Sequence, residues 1–223
     1  MRWRGPLLVA LGMTVAFWLP ARDATAQARE PLATIITVGG HAEIFRRSTE
    51  TWTDATLRDE VTEGDGVRTR SGRLTLRVSS GEVLRLGPRT QVFLSADGEA
   101  PAGGRPRARL DGGRLWLAVR STSPVPVPID VGAGIASVTA RGGGISIEIN
   151  PDGSVRIGVA HGSATVEGRE WTRALAQDRE LIVPAAGAAG RLGAVKRGQR
   201  DAEWMKWNEQ QDQAGGYGAR RAE

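Results

Sequence analysis

Apolar and polar side chains alternate with a period of two between residues 74 and 86, and that pattern constrains the fold most. Leu74, Leu76 and Val78 alternate with polar neighbours, and the alternation resumes at Leu84 and Leu86 after a short turn. Successive residues of a β-strand point to opposite faces, so each of these stretches has one buried face and one wet face. The pattern predicts a β-hairpin and places the chain in the all-β class.

A second hairpin signal lies further along the chain. Residues 145–150 alternate in the same way, residues 155–159 return, and residues 150–153 form the turn between them. Pro151 presets the first central angle of that turn, and Gly153 takes the position that needs positive φ. Further turns are predicted at residues 111–113 and at His161–Gly162.

The predicted architecture is a domain of short strands followed by one short C-terminal helix. Residues 80–92 and 152–166 share a turn, a strand and a corner marked by glycine, which is a weak internal echo. Stacked units of this kind would form a β-roll or a solenoid-like domain. A sandwich-like arrangement fits the same pattern, and the sequence leaves the two open.

The chain divides into six predicted segments. They are a signal peptide (1–26), an N-terminal β segment (27–56), a β domain (57–184), a linker (185–200), a short helix (201–214) and a disordered tail (215–223). Within the β domain, residues 96–109 are predicted to be a mobile polar loop. Residues 121–128 are predicted to be extended and polyproline-like, because proline recurs every second residue.

The N-terminus has the pattern of a secretory signal peptide. Arg2 and Arg4 precede an apolar run over residues 6–19, and Ala24 and Ala26 offer a small-x-small cleavage site. The run is shorter than the ~20 residues that a spanning helix needs, which favours cleavage over retention as an anchor. We therefore expect a periplasmic or secreted protein of a Gram-negative envelope, with no transmembrane segment after cleavage.

Charge and cysteine content narrow the class further. Thirty Lys and Arg residues stand against 25 Asp and Glu, for a net charge of +5, and no basic-aromatic platform is visible. This argues against nucleic-acid binding, which relies on clustered positive charge. The chain has no cysteine, so neither disulfides nor a lipid-modified cysteine are expected.

The central region resembles the FecR domain family in the order of its turns and strands. The family pattern is G-D-x-V-x-T-x-x-G-R-x-x-L-x-V followed by G-x-x-L-x-L-G-x-x-T-x-V. It is matched by Gly64, Asp65, Val67, Thr69, Gly72, Arg73, Leu76, Val78, Gly81, Leu84, Leu86, Gly87, Thr90 and Val92. The likeness continues around Gly113 and Trp116 and again at Gly153 and Gly162, and it spans residues 57–183.

The resemblance implies an extracytoplasmic β module that acts in envelope signalling or binding. The best-known members pass a signal from an outer-membrane receptor to a sigma factor, and they carry a cytoplasmic segment and a membrane helix ahead of the β domain. Here only a signal-like segment stands there. Gly143 and Ile145 also occupy positions where the family often has Thr and Phe. Both departures weigh against sigma-factor control.

No catalytic, cofactor or metal site is predicted. Nucleophilic catalysis needs a nucleophile held by a base and an orienting group, and no such set stands out. His41 and His161 both lie beside glycine and are interpreted as turn residues. Two histidines without cysteine also disfavour a transition-metal site.

An acidic segment and a glycine-rich segment could each bind a ligand, but both are interpreted as structural features. The acidic cluster of Asp59, Glu60, Glu63 and Asp65 lacks EF-hand spacing and is predicted to be a solvated turn. The family resemblance implies that the Asp65 side chain bonds nearby backbone amides. Residues 142–144 are all glycine, but a strand follows them, which favours a bulge or tight bend over a phosphate loop.

Aromatic residues supply the candidate interaction sites. Trp116 is predicted to lie in the core, with an exposed aromatic for glycan binding as the alternative. In the predicted helix, Trp204, Met205 and Trp207 form an apolar patch. Such residues are typical anchors of partner surfaces, and docking onto the β domain is an equal alternative.

The leading functional hypothesis is a non-enzymatic exported module that binds another component of the cell envelope. A protein partner in signalling or assembly is expected. The alternatives are a glycan- or peptidoglycan-binding module that uses Trp116 or Trp171, and a transmembrane sigma-factor regulator.

Overall fold

A computed structural model gives the structure of residues 30–97, 105–120, 127–195 and 199–217. Fifteen strands and one helix form within these residues. They are β1 (Ala33–Gly39), β2 (Ala42–Arg46), β3 (Thr51–Asp54), β4 (Glu60–Val61), β5 (Gly66–Thr69), β6 (Arg73–Val78), β7 (Val83–Leu86), β8 (Gln91–Asp97), β9 (Arg105–Val119), β10 (Pro128–Val131), β11 (Ala136–Ile149), β12 (Val155–Glu167), β13 (Thr172–Ala176), β14 (Arg179–Val183), β15 (Arg191–Ala194) and α1 (Gln199–Gly215). The all-β class is confirmed. The predicted signal peptide with Ala24 and Ala26, and most of the predicted tail, lie outside the described residues.

One sheet contains all the strands, and it is not closed. Its main path runs β15-β14-β12-β11-β10-β9-β7-β6-β1-β4, and a branch runs from β9 through β8, β5 and β2 to β3. The inward-facing residues of both parts belong to a single hydrophobic cluster. Burial of that shared apolar surface is the main stabilising term of the fold.

The long strands β9, β11 and β12 bend and change partners along their length. Residues 105–112 of β9 pair with β8, whereas residues 113–119 pair with β11. Gly113 has a φ of 83° at the point of change. The predicted turn at residues 111–113 is therefore corrected to a bend inside one strand, since the chain keeps its direction and only exchanges neighbours.

The same correction applies to the predicted turn at His161–Gly162. Strand β12 continues through it, with a register irregularity opposite the bulge of β11 that was predicted at residues 142–144 and is confirmed. Gly143 pairs with Gly162, and both have positive φ. A Cβ at Gly162 would lie 2.0 Å from the carbonyl oxygen of Gly142, so the two strands approach too closely for any side chain.

Both predicted hairpins are confirmed. In the first, Leu74 pairs with Leu86 and Leu76 with Leu84. In the second, residues 145–149 pair with residues 155–159, and Asn150 N–H donates to the carbonyl of Ser154 across the turn (2.8 Å). Alternation of apolar residues thus reports the register correctly wherever one face is buried.

Two segments predicted to be irregular contain strands. Strand β8 extends to Asp97 and β9 begins at Arg105, which shortens the predicted loop at 96–109 from both ends. Strand β15 lies inside the predicted linker and pairs with β14. Its residues are mostly exposed, so backbone hydrogen bonds form it without an apolar stripe that a sequence pattern could reveal.

The C-terminal helix forms as predicted, with slightly longer bounds than 201–214. It lies on the outside of the sheet, against strands whose opposite faces line the main core. Within the described residues, no helix has the length and apolar character to cross a bilayer.

Candidate functional site

The polar residues of the FecR-like pattern act as structural clamps. Asp65 is buried, and its Oδ1 accepts a hydrogen bond from the backbone N–H of Arg47 (2.9 Å). Its Oδ2 accepts from the backbone N–H and the hydroxyl of Thr62 (3.0 Å each) and from Arg46 (3.2 Å). The geometry is that of a turn acceptor, and it accounts for this carboxylate without a metal ion.

Two buried threonines of the same pattern tie the corner at residues 87–90 to its neighbours. Thr69 Oγ1 donates to the carbonyl of Gly87 (2.6 Å) and accepts from the backbone N–H of Thr90 (3.0 Å). Thr90 Oγ1 accepts from the backbone N–H of Arg114 (3.0 Å). These side chains replace ladder hydrogen bonds where the strands end, which is how buried backbone groups remain satisfied.

The interface between α1 and the sheet combines an apolar cluster with buried polar groups. A second apolar cluster, distinct from the main core, lies there. It contains Val83, Trp116, Ala118, Ala160, Trp204, Met205 and Tyr217, with Trp207 packed against it. We call this set the helix interface.

Trp116 is fully buried in the helix interface. Its neighbours Leu115 and Leu117 point into the main core, whereas Trp116 and Ala118 point to the opposite face of β9. The expectation of a buried Trp116 is met, but its cover is a helix and not a second layer of strands. This burial removes Trp116 as an exposed glycan-binding residue.

The patch of Trp204, Met205 and Trp207 docks onto the sheet. Trp204 and Met205 are buried, and the ring of Trp207 stacks on that of Trp204 with centroids 5.5 Å apart. Of the two alternatives left open by the sequence, the structure shows the intramolecular one. These residues are therefore engaged within the chain.

A buried carboxylate lies at the centre of the helix interface. Asp212 has no exposed surface, and its Oδ1 accepts a charge-assisted hydrogen bond from Arg85 Nη1 (2.5 Å). Its Oδ2 accepts from Trp116 Nε1 (3.0 Å) and lies 3.4 Å from His161 Nε2. Burial raises the pKa of Asp212, while the nearby Arg85 and Trp116 act in the opposite direction.

The sheet leaves space for this carboxylate at Gly144. A Cβ at that position would lie 2.7 Å from Asp212 Oδ2 and 2.5 Å from the Trp116 ring. His161, interpreted from the sequence as a turn residue, instead borders the carboxylate with only 15% of its side chain exposed. Gly144 and His161 thus both lie beside the helix interface, next to Asp212.

Three arginines of the β domain lie over the aromatic rings of the C-terminal segment. Arg114 lies 4.8 Å from the Trp204 ring centroid, and Arg73 lies 4.8 Å from that of Trp207. A third contact joins Arg120 to Tyr217 at 4.9 Å. Cation–π contacts contribute about 0.5–1 kcal/mol each at exposed sites, so together they add appreciably to docking.

The helix interface also contains polar atoms that lack hydrogen-bond partners among the described residues. These buried atoms are Trp204 Nε1, Asn208 Oδ1 and His161 Nε2. Most buried polar groups in folded proteins are hydrogen-bonded, and each exception weakens the packing that buries it. The docked helix therefore leaves some buried polar atoms without hydrogen bonds among the described residues.

An aromatic cluster lies elsewhere, on the outer face of the sheet branch. The rings of Phe45, Trp52 and Phe93 lie 5.4–6.2 Å apart, and Arg68 stacks on Trp52 at 4.0 Å. Arg68 also forms a bidentate pair with Glu43 (2.7 and 2.9 Å). The rings are tilted or edge-on to one another, so they pack together and do not form a flat platform.

The other glycan-binding candidate is also engaged within the fold. Trp171 Nε1 donates to the carbonyl of Gly187 (2.9 Å), and the ring packs partly against the main core. The sequence signals for glycan binding therefore do not converge on one exposed surface.

The comparisons with known proteins agree with this architecture. The fold and its turn clamps define an all-β domain of bent strands with a helix docked outside. The family model described as FecR protein matches residues 65–165. The resemblance to the FecR family that the turn-and-strand pattern indicated is therefore confirmed over these residues.

Two solved structures are similar to this chain, and both are candidate anti-sigma factors from Parabacteroides distasonis ATCC 8503. The first is 15% identical, with a TM-score of 0.51 and coverage of 63% of each chain. The second is 15% identical, with a TM-score of 0.49 and coverage of 62% of each chain. At this identity the first likeness shows a shared fold alone. No curated protein matches the sequence.

Proposed function

We propose that this chain is a non-enzymatic, exported FecR domain protein that binds another protein of the cell envelope in signalling or assembly. The FecR domain over residues 65–165 is the observation that carries the proposal. The similar structure described as a candidate anti-sigma factor supports a regulatory role over a catalytic one. Export rests on the signal-peptide pattern that ends at Ala26.

The chemistry of the described residues favours binding over catalysis. The buried polar groups Asp65, Thr69, Thr90 and Asp212 are held in hydrogen bonds that join strands, turns and the helix. General acid–base catalysis needs such groups to face a cleft within reach of a substrate. Here they join parts of the protein to one another, which suits a stable scaffold for a partner.

In-cell crosslinking of a C-terminally tagged chain tests the proposal. Mass spectrometry would read both the N-terminus of the recovered protein and the proteins attached to it. We expect a start at Gln27 or at Arg29, and one discrete envelope protein whose capture requires the FecR domain. An unrelated exported protein with the same tag serves as the control for abundance.

Two results would contradict the proposal. A correctly processed chain that yields no envelope protein above the control would remove the binding role. An intact Met1 with a sigma factor attached would show a membrane-anchored sigma-factor regulator, which is the alternative.

A further inference from the structure

A cleft of about 440 Å³ lies beside the C-terminal end of α1. Its floor is the outer face of β1, β6 and β7, in a part of the sheet that the helix leaves uncovered, and the end of α1 forms one wall. Small-molecule sites in proteins typically have volumes of roughly 300–1,000 Å³. We call this space the arginine cleft, after Arg73, Arg77 and Arg85 in its lining.

Strand register brings the three arginines of the cleft together. Arg73 and Arg77 lie four residues apart on β6 and point away from the main core. Thr75 lies between them and pairs with Arg85 of β7. Alternate residues of a strand share a face, so the three guanidinium groups surround one threonine. None of the described residues that line the cleft is acidic.

Arg85 is the buried arginine of the cleft, with only 5% of its side chain exposed. A guanidinium carries five N–H donors. Among the described residues, the bond from Arg85 Nη1 to Asp212 is the only hydrogen bond that it donates. Buried donors favour an acceptor strongly, so the remaining N–H groups of Arg85 are available to a ligand oxygen in the cleft.

Thr75 supplies a second buried donor at the centre of the floor. The residue is 6% exposed, and its Oγ1 accepts a hydrogen bond from the hydroxyl of Thr37 (2.7 Å). A hydroxyl can accept and donate at the same time. The described residues offer no acceptor for the proton of Thr75, so this hydroxyl can also donate to a ligand.

The charge of the cleft is uncompensated at two of its three arginines. Asp212 balances Arg85. Arg73 contacts the ring of Trp207, and Arg77 forms no ion pair within the described part of the chain. Arginine binds phosphate and carboxylate oxygens through its planar fork of donors. Of these two groups, a phosphate monoester matches the excess charge, because it carries about −1.5 to −2 and three acceptor oxygens.

We propose that the arginine cleft binds a phosphate monoester with an apolar or aromatic substituent. The three arginines and the Thr75 hydroxyl hold the phosphate oxygens. Val83 and the ring of Trp207 line the same cleft and form an apolar wall for the substituent. The inference goes beyond the proposed function, because this ligand is a phosphate compound and not an envelope protein.

Calorimetric titration of the purified full chain tests the proposal with three probes. They are phenyl phosphate, inorganic phosphate and benzoate. Phenyl phosphate should bind once per chain and roughly tenfold more tightly than either of the others. Inorganic phosphate lacks the apolar substituent, and benzoate has one negative charge and two acceptor oxygens.

Arg77→Gln should weaken the binding of phenyl phosphate roughly tenfold, because it removes one uncompensated charge and its donors. Arg77 is exposed and makes no contact with α1 that its loss would break, so the variant should keep the unfolding midpoint of the wild type. Arg191→Gln removes the same charge at an exposed position of β15, outside the cleft. This control should bind phenyl phosphate as the wild type does.

Three results would overturn the proposal. They are no binding of phenyl phosphate, binding no tighter than that of inorganic phosphate or benzoate, and equal weakening by Arg77→Gln and Arg191→Gln. None of them bears on the crosslinking experiment, so the proposed function stands or falls separately.

Sedimentation with phosphatidylcholine vesicles, with and without phosphatidic acid, distinguishes two sources of the phosphate group. Pelleting that requires both phosphatidic acid and Arg77 would support the site and assign the group to a lipid headgroup. Binding of phenyl phosphate without pelleting would support the site and assign it to a soluble compound. Pelleting that Arg77→Gln leaves unchanged, in a chain that does not bind phenyl phosphate, would contradict the cleft as the phosphate site.

Discussion

Two neighbouring arginines couple the ionisation of Glu43 to folding. Arg68 donates two hydrogen bonds to it, and Arg70 Nε donates a third (2.8 Å). Hydrogen bonds from Arg68, and then from Arg70, lower the pKa of Glu43 from 4.5 to about 2. A lowered pKa in the folded state means that the charged form is the one that stabilises the fold.

Glu43→Gln should therefore destabilise the protein at neutral pH and lose its effect in acid. The contribution of Glu43 is complete above its ordinary pKa of 4.5 and disappears as the pH falls towards about 2. Urea midpoints of the variant and the wild type should differ at neutral pH and converge over that window. Glu203→Gln, at an exposed position of α1, is the matched control. A constant difference at every pH would show that Glu43 acts through packing alone.

At the scale of elements, docking of α1 depends on one buried ion pair. Arg85 and Asp212 are 127 residues apart in sequence, and both are almost fully buried. Breaking such a pair by removing one partner leaves an uncompensated charge, whereas replacing both with apolar residues is often tolerated. The pair therefore fixes where α1 lies more than it adds net stability.

Asp212→Ala should destabilise the protein by roughly 3–5 kcal/mol, the usual cost of stranding a buried charge. The double variant Arg85→Leu with Asp212→Leu should recover the part of that loss that comes from the stranded charge of Arg85. Its free energy of unfolding should remain about 1–3 kcal/mol below that of the wild type, because the Nε1 donor of Trp116 stays unpaired. Urea unfolding followed by tryptophan fluorescence measures both. A double variant no more stable than Asp212→Ala would show that the charge of Arg85 is not what destabilises the single variant.

The strands were predictable from the sequence where alternation and burial coincide, as at residues 74–78 and 145–149. The bends at Gly113 and Gly162 were not, because glycine next to a polar residue signals a turn and a bulge equally. A turn and a bulge differ in which strands pair on either side of the glycine. That pairing is set by contacts distant in sequence.

The helix interface was predictable only in part. The tryptophans of α1 were visible as an apolar patch, but Asp212 was overlooked although it lies on the same face as Trp204 and Asn208 at intervals of four residues. A carboxylate on an apolar stripe is a local signal that could have drawn attention to it. Its partners Arg85 and Trp116, 127 and 96 residues away, carry no such signal.

At the scale of the whole molecule, one bent sheet serves two hydrophobic clusters. Its inner face encloses the main core, and part of its outer face is covered by α1. The sheet supplies the arginines, and the C-terminal segment supplies the carboxylate and the aromatic rings that they contact. We predict that α1 stays docked on the sheet but opens more readily than the strands beneath it.

Hydrogen exchange of the full chain, read by mass spectrometry, tests this claim most directly. The backbone amides of residues 204–212 should exchange far more slowly than in a free peptide of residues 199–217, yet faster than those of β9 and β11. Asp212→Ala should remove the protection of α1 and leave that of the two strands unchanged. Exchange of residues 204–212 at the rate of the free peptide in the wild-type chain would contradict the docking of α1 on the sheet.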